Sequence, residues 1–281
     1  MRHRATQTSR HHLWRYFVLV YLLIAAVSPV HAQSAITIIE DKHEHTFQGP
    51  LTFRLVAQAE HKIDSVKLFY RVSGQTAAHK VDLDMDPDTR IEIVHTEDMG
   101  AEENYQPPMI TLTYWWVIED EAGNRLKTDP ISFVYTDTRF EWQSLENDQV
   151  RLYWHDQNAE FGQNYFDRAV QAATDLGTAF DVQSPNPVVI VIYNSHQEFM
   201  SVLQEASSEW TGAVSFGGSG CIATELGPES WMNTVSPHEL THASLDQIAR
   251  PPFGEIPRWL NEGLAVRSEG GMSVEERAAL D

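Results

Sequence analysis

Between residues 36 and 136 the chain alternates apolar and polar positions in short runs: AITIIE, LTFRLVAQA, SVKLFYRV, RIEIVHT, ITLTYWWVIED and ISFVY. A period of two puts successive side chains on opposite faces, as in half-buried antiparallel strands. Turn-forming clusters (QGP, SGQ, DPD and EAGN) separate the runs, because glycine, proline and aspartate fit turn backbone better than strands. About seven short strands without a helical period predict a β-sandwich over residues 33–138.

The period changes after TDTRFEWQSLEND. Over residues 161–180 the apolar positions Phe161, Tyr165, Val170, Ala173, Leu176 and Phe180 fall near one helical stripe. SPNP breaks that helix, and VVIVIY follows as an unbroken β-branched run, the mark of a strand buried on both faces. HQEFMSVLQEA predicts a second helix. GAVSF and CIATE flank GGSG as a hairpin or edge pair. TVSPHELTHASLD predicts a third helix, and PRWLNEGLAVRSE a fourth, with Pro257 in its first turn. The expected fold is therefore multidomain, with an α+β domain over residues 139–281 after the sandwich.

Composition narrows the function. Forty Asp and Glu oppose twenty Lys and Arg, a formal net charge of -20; such a surface repels phosphate and excludes nucleic acid as a partner. A single cysteine, Cys221, rules out an internal disulfide framework and a cysteine-based zinc site; it reads as a small buried apolar residue. Arg2, Arg4, Arg10 and Arg15 precede the apolar run FVLVYLLIAAV, and Val30 and Ala32 occupy the −3 and −1 positions of a cleavage site. Residues 1–32 thus read as a secretory signal. The expected location is secreted or extracytoplasmic, and the only membrane link would be an uncleaved signal.

The chemistry gathers in PHELTH. Residues four apart on a helix share a face, so His238 and His242 can offer two imidazole nitrogens to one point, with Glu239 beside it. This HExxH spacing suits a zinc ion and a carboxylate acting on water. Glu262, between Trp259, Ala265 and Val266, is the candidate third ligand, since a carboxylate in an apolar stripe needs a cation. Gly263 would let its helix approach closely. A competing reading makes Ser236 and Glu239 a capping box around Pro237, with the helix starting there or at Asn233 or Thr234; it accounts for neither the histidine pair nor Glu262.

HELTH followed by NEGLA resembles the gluzincin zinc metallopeptidases, and PHELTH with PRWLNEGLAV resembles the peptidase MA-like domain of exported proteins. The YWWVIEDEAGNRLKTDPISFVY hairpin looks like the end of an immunoglobulin-like or fibronectin-like module. The gluzincin resemblance implies a zincin-like metallopeptidase fold, Zn²⁺ held by His238, His242 and Glu262, and Glu239 as general base acting on a zinc-activated water. The substrate would be a peptide or protein lying antiparallel along the GAVSF or CIATE edge. The aminopeptidase branch has a GxMEN stretch whose acid grips the substrate's amino terminus; the nearest match here, Gly212-Ala213-Val214-Ser215-Phe216, carries no acid, which favours endopeptidase activity.

Residues 263–281 hold no Tyr or His to stabilise an oxyanion, and Arg267 is the only strong base there. Either a further C-terminal part completes the cleft or the donor lies upstream. The competing function is a non-catalytic metallopeptidase-like binding protein with the sandwich as recognition module. Asp246, one turn beyond His242, is a candidate to orient an imidazole, and Asn261 is a candidate to position Glu262. His43 and His45 read as a solvated pair. Trp115 and Trp116 should divide between surface and core.

Overall fold

The computed structural model describes residues 35–203, 212–248 and 256–269, apart from 74, 76 and 182. The signal segment lies outside these residues. Among them, no helix is long and apolar enough to cross a membrane. The fold is mostly β with four helices among the described residues, consistent with an α+β class.

The first sheet contains β1 (Ile36–His45), β2 (Pro50–Val72), β3 (His79–Leu83), β4 (Asp88–Asp98), β5 (Thr111–Asp120), β6 (Arg125–Lys127) and β7 (Ile131–Val134). Two runs that read as separate strands, LTFRLVAQA and SVKLFYRV, are one strand, β2. Its first half pairs with β1 and β4, its second half with β3 and β5, and the register shifts between Gln58 and Ile63. The polar intervening residues do not stop the strand because each half finds its own partners. The two halves share an interior: Phe53 from the first lies 5.8 Å from Tyr70 of the second and 4.9 Å from Tyr114, ring centre to ring centre.

Trp116 is fully buried and donates its indole N–H to Asp41 at 3.0 Å, whereas Trp115 faces outward and is half-buried. His43 and His45 are not the solvated pair expected. His43 stacks on Phe133 at 3.8 Å, His45 sits 3.2 Å from the Thr136 carbonyl, and burial lowers the pKa of both.

The second sheet runs in the order β11 (Ala213–Phe216), β12 (Cys221–Glu225), β10 (Val188–Tyr193), β9 (Val150–Trp154), β8 (Gln143–Glu146). Its three middle strands are parallel and its two edges antiparallel. β10 is the VVIVIY run, and all six of its residues are buried. Val189, Val191 and Tyr193 join the core of the first sheet, together with Phe199 of the short helix α2 (His196–Met200) and buried Cys221. Val188, Ile190 and Ile192 face the opposite way, into a second cluster with α1 (Ala159–Phe180) and α3 (Glu229–Ile248). Alternation along one strand thus divides the molecule into layers.

α1 starts where Asn158 accepts from the Phe161 N–H at 2.8 Å, and it lays Tyr165 and Ala169 on the sheet. Gly162 permits that approach. A Cβ there would stand 2.1 Å from Trp154 Cζ2, on a ring only 3% exposed. Gly162→Ala gains roughly 1 kcal/mol of helix propensity, but the clash costs about 1–3 kcal/mol or more. The clash should win: urea denaturation of G162A is expected to show a lower midpoint than the parent chain.

Candidate metal centre

α3 carries His238, Glu239 and His242, and α4 (Arg258–Ser268) carries Asn261 and Glu262. α3 begins at Glu229, well before Ser236, so Pro237 lies inside the helix. A capping box at Ser236 is excluded by that continuation, and Glu239 is free for another role. A proline inside a helix removes one N–H. Here its own carbonyl becomes a joint: Thr241 Oγ1 lies 2.8 Å from it and Ser268 Oγ 3.0 Å, with the two hydroxyls 2.8 Å apart. This joint ties α4 to α3 at the residues immediately preceding the two histidines.

Across it, the expected three side chains meet. His238 Nε2 and His242 Nε2 are 3.0 Å apart, and Glu262 Oε2 is 3.7 Å from each. These separations bracket the roughly 3.3 Å edge of a tetrahedron whose bonds are about 2.0–2.1 Å, the usual lengths for zinc. No other group of three potential ligands comes together among the described residues.

Both imidazoles are turned the right way by partners on their far nitrogens. His242 Nδ1 donates to Asn261 Oδ1 at 2.9 Å, and His238 Nδ1 pairs with the Glu269 carboxylate just past the end of α4. With protons on the Nδ1 atoms, the Nε2 lone pairs face each other and Glu262. Two imidazole nitrogens and a carboxylate oxygen in such proximity form a donor set that could hold a divalent cation, and nitrogen–nitrogen–oxygen donors suit zinc.

Glu239 lies on the same helix beside the edge strand β11, where the Ser215 backbone favours its charged form. Burial is the main cause that raises its pKa; the two histidines oppose the rise and Glu262 adds to it.

Several expectations are corrected. The Glu262 side chain is 47% exposed, and of its apolar neighbours only Ala265 is buried, Trp259 being 76% and Val266 40% exposed; convergence, rather than burial, marks Glu262. Gly263 makes no close helix contact, since a Cβ there would meet nothing within 4 Å. Asp246 Oδ2 accepts from Gly218 N in the β11–β12 turn, and the imidazole partner is Asn261 instead. Glu269 was missed in the sequence, although it lies two helical turns beyond Glu262 and so on the same face.

Residues 168–281 match the sequence model of the Peptidase MA superfamily. A comparison with curated proteins finds no match. Among solved structures, OgpA of Akkermansia muciniphila, whose catalytically inactive form was crystallised with an O-glycopeptide substrate, is 6% identical at a TM-score of 0.29. The alignment covers 39% of this chain and 32% of that one, so the chain spans about a third of OgpA. A polysaccharide deacetylase of Bacillus cereus is 12% identical at a TM-score of 0.26, over 73% of this chain and 66% of the other.

Asn261→Ala and Glu269→Ala each remove the acceptor that turns one imidazole. Zinc affinity, measured by competition with a chelating dye, should fall about 10–100-fold in either variant with the helical circular dichroism unchanged.

Proposed function

We propose that the chain is an exported zinc-dependent peptidase that cuts within peptide chains. The match to the Peptidase MA superfamily supports a peptidase domain with peptide or protein substrates. The observation that carries the zinc reading is the convergence of His238 Nε2, His242 Nε2 and Glu262 Oε2, with Glu239 one residue along the same helix. The tripartite pattern of residues 1–32 supports export.

When bound, a zinc ion supplies a Lewis acid for the scissile carbonyl and lowers the pKa of water towards about 7. His238, His242 and Glu262 would hold it. Glu239 takes a proton from the attacking water as its oxygen adds to the carbonyl carbon. The same carboxyl then gives that proton to the leaving amine as the C–N bond breaks. A pKa raised by burial suits a group that must both accept and return a proton. β11 is the open edge of its sheet and reaches Glu239 through Ser215. An extended substrate adding to that edge would be held by backbone hydrogen bonds, which require no free amino terminus.

In this reading the strands up to residue 138 are an immunoglobulin-like sandwich serving as a recognition module. The packing of the two halves of β2 through Phe53, Tyr70 and Tyr114 supports it. The division at 138/139 falls between β7 and β8.

Glu239→Gln keeps the side chain's shape while removing its basicity. The variant should bind one zinc ion as the parent does and lose about 10²–10⁴-fold in casein hydrolysis, and a chelator should abolish the parent's activity. Hydrolysis that survives chelation would contradict the proposal. Zinc bound by a parent chain that never hydrolyses peptides would favour the non-catalytic binding protein instead.

A further inference from the structure

The outer face of the first sheet carries chemistry that the peptidase reading leaves unused. Lys67, Phe69 and Arg71 of β2 project on one side of the sheet, because alternate residues share a face. Phe69 stands directly between Trp115 of β5 and Lys80 of β3, and Val117 of β5 stands between Lys67 and Lys127 of β6. The rings of Phe69 and Trp115 are parallel to within 2°, with centres 5.5 Å apart. Lys127 Nζ lies 5.1 Å and Arg71 Cζ 5.8 Å from the centre of the Trp115 ring. Both aromatic residues are half-exposed, and neither joins the core clusters.

The charges on this face run against the rest of the chain. Its two acids are already taken: Asp82 bonds Lys80 at 2.7 Å and Glu119 bonds Arg125 at 3.3 Å. Among the described residues, Lys67 and Arg71 hydrogen-bond to uncharged oxygens, Ser65 Oγ and the Gln75 carbonyl. Among the described residues, no carboxylate lies within 4.0 Å of Lys67, Arg71 or Lys127. A chain with a formal net charge of -20 thus gathers three uncompensated cations around one aromatic pair. Such grouping costs self-repulsion unless an anion relieves it.

We propose that this face binds an anionic polysaccharide, one whose sugar rings carry carboxylate or sulfate groups. The three cations take the acid groups by charge-assisted hydrogen bonds. The aromatic pair takes the sugar's C–H face, whose partial positive charge complements the negative face of an aromatic ring. An acidic peptide fits less well: Phe69 and Trp115 lie on β2 and β5, whose backbones are paired on both sides, so a strand added at the outer edges, β3 or β6, would not run along the aromatic pair. An anionic bilayer favours protruding apolar tips, whereas Phe69 and Trp115 lie parallel and half-buried. The site is independent of the metal centre.

The test is affinity electrophoresis of the full chain in gels containing polygalacturonate. The chain should be retarded, and the retardation should weaken steeply with salt. Trp115→Ala, and separately the pair Lys67→Gln with Lys127→Gln, should weaken binding about tenfold or more with no change in melting temperature. The charge pair keeps the test valid if Trp115→Ala disturbs folding. The proposal is overturned by an absence of retardation, by equal retardation in neutral dextran, or by parent-like binding in the charge pair. Stronger binding to polyglutamate or to phosphatidylglycerol vesicles than to polygalacturonate overturns it as well.

Discussion

α4 lies across α3 on a joint of three oxygens, those of Thr241, Ser268 and the Pro237 carbonyl. Each side chain that α4 contributes to the site depends on that placement. Glu262 reaches the imidazole pair, Asn261 turns His242, and Glu269 turns His238. A helix supplying three functional groups over little more than two turns cannot shift by one residue without losing them all, since one residue rotates the face by about 100°. The second sheet supports α3 from beneath: Leu240 and Ala243 pack into the cluster built on Ile190 and Ile192. Rigid packing below and a polar joint above hold the imidazoles within bonding range of one centre.

The motif residues were legible in the sequence because their spacing alone fixes a common face. The i and i+4 positions of His238 and His242 make a local statement, true on any helix. β10 was legible for a similar reason, since an unbroken β-branched run has few places to go but the middle of a sheet. What the sequence concealed depends on partners distant along the chain. The continuity of β2 is set by four neighbouring strands, none visible from its own pattern. Glu269 and Asn261 divide the two imidazoles according to how the helices cross. The apolar neighbours of Glu262 suggested burial, yet Trp259 and Val266 point outward, because an apolar residue's exposure depends on what is packed against it.

The two sheets divide the work differently. The core of the first continues into one face of the second through Val189, Val191, Tyr193 and Cys221, so the outer face of the first sheet and the metal centre lie on separate layers. An acidic surface broken by one basic, aromatic face gives the chain two distinct recognition chemistries. The proposed peptide site uses backbone and carbonyl groups at β11; the proposed polysaccharide site uses cations and aromatic rings across β2 and β5.

The central claim is a ligand set, and X-ray absorption at the zinc edge reads a ligand set directly. With one equivalent of zinc bound, the spectrum should show two imidazole shells and further oxygen donors at about 2.0–2.2 Å. A spectrum lacking imidazole scattering, or a chain that retains no zinc after dialysis, would contradict it.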